Sequence, residues 1–138
     1  MALDFNLEQD LKSDYSPALY EAVSKSFAAD DYDATVIAAF KYLDSYLHKL
    51  LNVSPHDYYG EALINYAYSP NQGVIQMDTH PNEQAGLRNL ISGALAIFRN
   101  PSAHRFMEYD QFTASTVIAL VATVIKLTDK IVTTSKSS

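Results

Sequence analysis

Val36, Ile37, Phe40, Leu43, Leu47, Leu50 and Leu51 recur at the 3.6-residue period of one helix face. A helix that carries so continuous a stripe cannot hide it alone, so the rest of the chain must supply surfaces that cover it. Three other segments offer the same kind of face. Ser16-Pro17 reads as an N-cap followed by proline at the first helical position, after which Leu19, Ala22, Val23 and Phe27 keep helical spacing. Leu87, Leu90, Ile91, Ala94, Leu95 and Phe98 form one apolar face in "HPNEQAGLRNLISGALAIF". The stretch from about Asp110 to Thr133 is apolar at so many positions that it should be central, with "TTSKSS" as a polar tail.

The first two helices are joined within "AADD", with Asp30 or Asp31 as cap, which makes them antiparallel neighbours. Between the second and third helices the pattern breaks at Asn52. "EALINYAY" offers a short helical piece there, and "SPNQG" followed by "GVIQMD" offers a turn with weak alternation. The expected fold is all-α: an up-and-down four-helix bundle with a small irregular or β-hairpin excursion between helices 2 and 3. Gly86 and Gly93 fall inside the third helix and cost it about 1 kcal/mol each relative to alanine, so a close helix contact or a substrate approach is expected to offset them.

With 138 residues, 48% of them hydrophobic, the chain fits a single domain over 1–138 whose core needs no staples. It has no cysteine, which excludes disulfides and thiolate metal sites and points to a reducing, cytoplasmic setting. "MALDFNLEQDLK" does not read as a signal peptide, and the longest apolar run, Val117 to Ile125, is far shorter than the ~20 residues that cross a bilayer. No membrane contact is expected.

The formal net charge of −6 argues against a protein that coats nucleic acid through a basic face. All three arginines, Arg88, Arg99 and Arg105, nevertheless fall between Gln84 and Met107, where there is no Asp or Glu. Anion-binding capacity is therefore concentrated around "FRNPSAHR", Phe98 to Arg105. One account of that octet is structural, because Asn100-Pro101 ends or kinks the third helix and Arg99 suits a helix C-terminus. The other is chemical. A guanidinium at Arg99 offers a planar fork of donors for a phosphate, an imidazole at His104 exchanges protons near neutrality, and Asn100 could orient either. Those are the parts needed to cleave RNA without a metal.

The pattern Arg99-Asn100-Pro101-Ser102-Ala103-His104 resembles the motif of the HEPN superfamily, in which Arg, a polar residue and a His a few positions on mark a helical ribonuclease. "GALAIFRNPSAH", with "EQAGLRNLI" and the early "ALYEAVSKSF" and "DYDATVIAAFKYLDSYLHKL", is similar to the Ymh-type, abortive-infection-like bacterial branch, from about Pro17 to the last helix. The resemblance implies a two-fold homodimer that brings two such motifs into one cleft. It also implies a metal-independent endoribonuclease that acts as a toxin or antiviral effector, often restrained by an antitoxin or other defence-system partner protein.

Carried onto this chain, Arg99 binds the scissile phosphate and stabilises its transition state, Asn100 positions Arg99 or His104, and His104 moves protons. Arg88 and Arg105 join as substrate-binding cations. Asp44 is the candidate for the acidic residue that in this superfamily faces the motif from the second helix. No cofactor is implied. Where some toxin branches carry a tyrosine two positions after the histidine, this chain has Phe106.

The alternative is a HEPN-like bundle without catalysis, serving as a nucleotide-binding or protein-interaction module. Of His48, His56 and His80, only His48 has a second metal-ligating residue, Asp44, at i, i+4 on one helix face, and no third ligand at a supporting spacing joins them; the ten tyrosines are scattered as packing residues are. No glycine-rich phosphate loop and no basic recognition helix is present.

Overall fold

The computed structural model describes residues 16–78, 81–99 and 108–136, and over these the protein is helical. Helix α1 spans Pro17–Ala28, with Leu19 N donating to the Ser16 hydroxyl at 3.0 Å. After two residues in a tight turn, α2 spans Tyr32–Leu51, capped by Asp31, and the left-handed Asn52 (φ 54°) closes it. Helix α3 spans Gly60–Tyr68 and α4 spans Pro81–Ala94, the latter continuing as a π-helical turn over Leu95–Arg99. Helix α5 spans Gln111–Lys136, so helix continues past Thr133 into the stretch expected to be a tail.

The apolar stripe of α2 is where the other helices meet. Phe40, Leu43 and Leu47 are buried on it, and α1, α3, α5 and the π-helical turn all pack against this helix. Buried residues of α5, from Ala114 through Val117, Val121 and Ile125, join the same cluster as Leu19 and Val23 of α1 and Leu87, Ile91 and Leu95 of α4. Tyr68 is fully buried, its hydroxyl 2.7 Å from that of Thr128 on α5. Burial pushes its phenol up to about 12.

The excursion differs from the β-hairpin alternative. Among the described residues there is no strand, and "EALINYAY" is the core of a nine-residue helix. The residues expected to form the hairpin fold back onto the C-terminus of α3 instead. Val74 N donates to Tyr66 O at 3.0 Å and Ile75 N to Ala67 O at 2.8 Å, so the backbone donors satisfy helix carbonyls that would otherwise be orphaned. Gln84 locks this fold-back from α4. Its buried amide donates to Tyr68 O at 2.7 Å and Ile75 O at 2.9 Å, and accepts from Met77 N at 2.8 Å. A weak period-2 pattern could not compete with a helix end that offered partners at once.

Two kinds of glycine position separate here. A Cβ at Gly73 would come within 2.6 Å of Ser69 N and 2.8 Å of Ala67 O, backbone atoms that cannot give way. At Gly86 and Gly93 a Cβ would meet nothing within 4 Å, so among the described residues no close contact offsets their helix cost. Among the described residues no helix is long and apolar enough to cross a membrane.

These contacts set two opposite outcomes. Gly73→Ala should lower stability by about 1–3 kcal/mol through overpacking. Gly86→Ala in dilute solution should raise it by about 0.5–1 kcal/mol through helix propensity and a less free unfolded chain. Urea midpoints of the two variants measure both.

Candidate functional site

Arg99 lies on the row that Leu87, Ile91 and Leu95 begin, four residues apart, and those three are buried. The π-helical turn packs against α2, so a cation carried on its inner side needs a counter-charge from α2. Asp44 supplies it: Arg99 Nη2 lies 3.0 Å from Asp44 Oδ2, with 28% of the arginine side chain and 13% of the aspartate side chain exposed. The π-helical turn that carries Arg99 is itself an irregularity of a kind that recurs at functional sites.

The pair is electrostatically uneven. Asp44 Oδ1 is buried with no hydrogen-bond partner, a state that costs the full desolvation of that oxygen. Burial therefore raises the Asp44 carboxyl above its ordinary value, against the opposing pull of Arg99 and, less, of His48. His48 stands one turn along α2, its Nε2 2.7 Å from Tyr58 O. That contact ties the imidazole to the start of the excursion.

Two residues not singled out by the sequence fix the chain on either side of the motif. Asp33, in the first turn of α2, accepts from Glu108 N at 3.0 Å and from Tyr109 N at 2.8 Å. Tyr109 then donates its hydroxyl to Phe98 O at 3.2 Å, and the two rings meet edge to face at 6.3 Å. The chain thus leaves the π-helical turn and returns to α5 at anchored points, Glu108 adopting a left-handed φ of 54° on the way. Asp110 caps α5 by accepting from Thr113 N at 2.8 Å, and the Thr113 side chain first, then this backbone bond, hold its carboxyl below the ordinary range. An acidic first-turn residue is ordinary in a helix, so nothing in the sequence marked Asp33 as a partner for Tyr109.

Of the candidate residues, Asp44 and Arg99 are brought together. Arg88 is turned elsewhere: its Nε and Nη2 donate to Asn65 Oδ1 at 2.9 and 2.7 Å, and Nη2 lies 3.4 Å from Glu61 Oε1 on α3. Eleven residues of continuous helix set it about 16 Å along the axis from Arg99. Asn100, His104 and Arg105 lie outside the described residues, as do Phe106 and His80. Among the described residues no three His, Asp or Glu gather into a group able to hold a metal. Tyr58 and Tyr66 pack ring on ring at 4.2 Å, both half-buried.

A family model described as a protein of unknown function, Hypoth_ymh, matches residues 13–127. The chain belongs to this family. The match spans α1 through most of α5, and so contains Asp33, Asp44, Arg99 and the whole octet from Phe98 to Arg105. No curated protein and no solved structure matches the chain.

A raised Asp44 carboxyl means that the folded chain binds this proton more tightly than the unfolded one. Its contribution to stability is therefore complete below the ordinary Asp value and is lost as pH rises through the raised folded value. Asp44→Asn lacks that step. The urea midpoint of Asp44→Asn relative to wild type should move in favour of Asn as pH rises through the window just above the ordinary carboxylate range, then level off. A shift in the opposite direction would mean that the pull of Arg99 outweighs burial.

Proposed function

We propose that this chain is a metal-independent endoribonuclease of HEPN type, acting in the cytoplasm at a cleft formed with a second copy of itself. In this reading it serves as a toxin or antiviral defence effector, held in check by a partner protein. An up-and-down arrangement of α1, α2, α4 and α5 belongs to the same reading. The supporting observation is the Arg99–Asp44 pair: a partly exposed guanidinium, held at a π-helical turn by a largely buried carboxylate, stands immediately before Asn100 in the sequence motif.

In the reaction the ribose 2′-oxygen attacks the adjacent phosphorus, the bond to the 5′-oxygen breaks, and a cyclic phosphate and a 5′-hydroxyl result. His104 takes the 2′-hydroxyl proton or returns one to the leaving oxygen, within the range where imidazole titrates. Arg99 bonds the nonbridging oxygens as their charge grows, and Asp44 fixes its direction beforehand. Asn100 orients Arg99 or His104. Arg105 adds positive potential for the RNA backbone, and Arg88, held by Asn65, acts at a distance. DNA lacks the attacking hydroxyl and is spared.

A second reading, a binding module without catalysis, draws on the same pair, because Asp44 already neutralises Arg99. Incubation with mixed RNA in excess chelator separates the two. Wild type should yield fragments with cyclic phosphate and 5′-hydroxyl ends. Arg99→Ala and His104→Ala should each lose about 100-fold or more in rate. Intact RNA with the folded wild type, bound in a gel shift, would favour the binding module.

A further inference from the structure

Helix α1 is twelve residues long and α2 twenty, so α1 can cover only part of its neighbour. Two contacts fix which part. The Ser26 hydroxyl meets that of Thr35 at 2.9 Å near the end of α1, and the Ser16 hydroxyl meets that of Tyr42 at 3.3 Å at its start. The line of α1 therefore runs antiparallel along α2 and stops at Tyr42. Beyond that point α2 carries a groove of about 300 Å³, lined by Tyr42, Ser45, Tyr46, Lys49 and Leu50.

At about 100° of rotation per residue, these five positions fall on the half of α2 opposite Asp44, so the groove is separate from the Arg99 pair. Its polar groups are unequally engaged. Tyr42 meets Ser16, and Tyr46 donates its hydroxyl to Asp129 of α5. Lys49 is exposed and has no carboxylate partner among the described residues. The surface is thus half-buried aromatic and aliphatic side chains with one cation at its far end.

We infer that residues 1–15 of this chain lie in the groove, antiparallel to α2 and in continuation of α1, with Leu11 beside Tyr42, Leu7 beside Tyr46 and Leu3 beside Leu50. These fifteen residues are outside the described ones, and three observations select them as the occupant. The chain that precedes Ser16 must start at the near end of the groove, because Ser16 itself touches Tyr42. Leu3, Leu7 and Leu11 recur at the four-residue step of one helix face, and their span, like that from Tyr42 to Leu50, covers eight residues, about 12 Å of helix rise. The segment carries Asp4, Glu8, Asp10 and Asp14 against Lys12 alone, and this register brings Asp4 level with Lys49.

A tethered segment also has the advantage over the same segment of a second copy, because attachment at Ser16 holds it at high effective concentration. So placed, it extends the cover of α2 to the full length of that helix. The inference goes beyond the ribonuclease reading and does not depend on it.

The chain has no native cysteine, so engineered thiols report alone. In the full chain at low concentration, Asp4→Cys with Lys49→Cys should close an intrachain disulfide about ten-fold or more faster than Asp4→Cys with Lys25→Cys, whose second thiol lies in the last turn of α1. Ser45→Cys should react with a thiol reagent about ten-fold more slowly than the same cysteine in a chain that also carries Leu3→Ser, Leu7→Ser and Leu11→Ser. Helical circular dichroism checks that the serine variant stays folded. The cross-link needs none of those serines and decides the matter if it does not.

Equal closure rates for the two cysteine pairs, or Ser45→Cys labelling unchanged by the serines in a folded chain, would overturn the inference. Disulfides that join two chains in place of closing one would overturn it as well, and would assign the groove to the segment of a second copy. RNA cleavage by the same samples reports on the ribonuclease reading alone, since no substituted residue belongs to the Arg99 site, so each idea can fail without the other.

Discussion

Burial of the apolar stripe of α2 is the contact on which the other helices depend. Phe40, Leu43 and Leu47 are almost wholly removed from solvent, each worth about 1.5–3 kcal/mol relative to exposure. They are covered jointly by α1, α3, α5 and the π-helical turn, so no one of these helices can withdraw without exposing part of the stripe. The position of Arg99 follows from that packing. Leu87, Ile91 and Leu95 bury one face of α4 in the core, and the π-helical turn that follows packs against α2, which brings Arg99 to Asp44.

A cation so placed explains the Asp44 pair but not its unevenness. A pair selected only for stability would satisfy both carboxylate oxygens, yet Oδ1 is left without a partner. Replacing such a pair with apolar residues is often neutral or stabilising. The pair holds the guanidinium in one direction, and Asp33 and Tyr109 fix the chain on the other side of the same motif. In the ribonuclease reading proposed above, that orientation is what Arg99 would contribute, because a planar guanidinium fork is useful to a phosphate only when aimed.

The glycines show how one residue type serves different ends. Gly73 is demanded by backbone packed against the end of α3, a constraint internal to the chain. Among the described residues, Gly86 and Gly93 answer no such packing constraint. Glycines so placed lower the stability of the isolated helix, and close approach of another helix is a means of recovering it.

By itself the sequence determined the helical elements and most of their ends. Helical period, the Ser16 cap, a cap at Asp30 or Asp31 and the break at Asn52 are local signals, read over a few residues by the geometry of one helix. It also pointed to Arg99 and, through a family resemblance, to Asp44. Only the tertiary structure decided what depends on distant residues meeting: that Val74 and Ile75 cap α3 in place of forming a hairpin, that Gln84 is a buried clamp, that Arg88 is held by Asn65, and that Asp33 holds Tyr109. Each of these joins groups whose sequence neighbours give no hint of the partner, because hydrogen-bond satisfaction in a packed interior is settled by which surfaces come together and not by the order of residues along the chain.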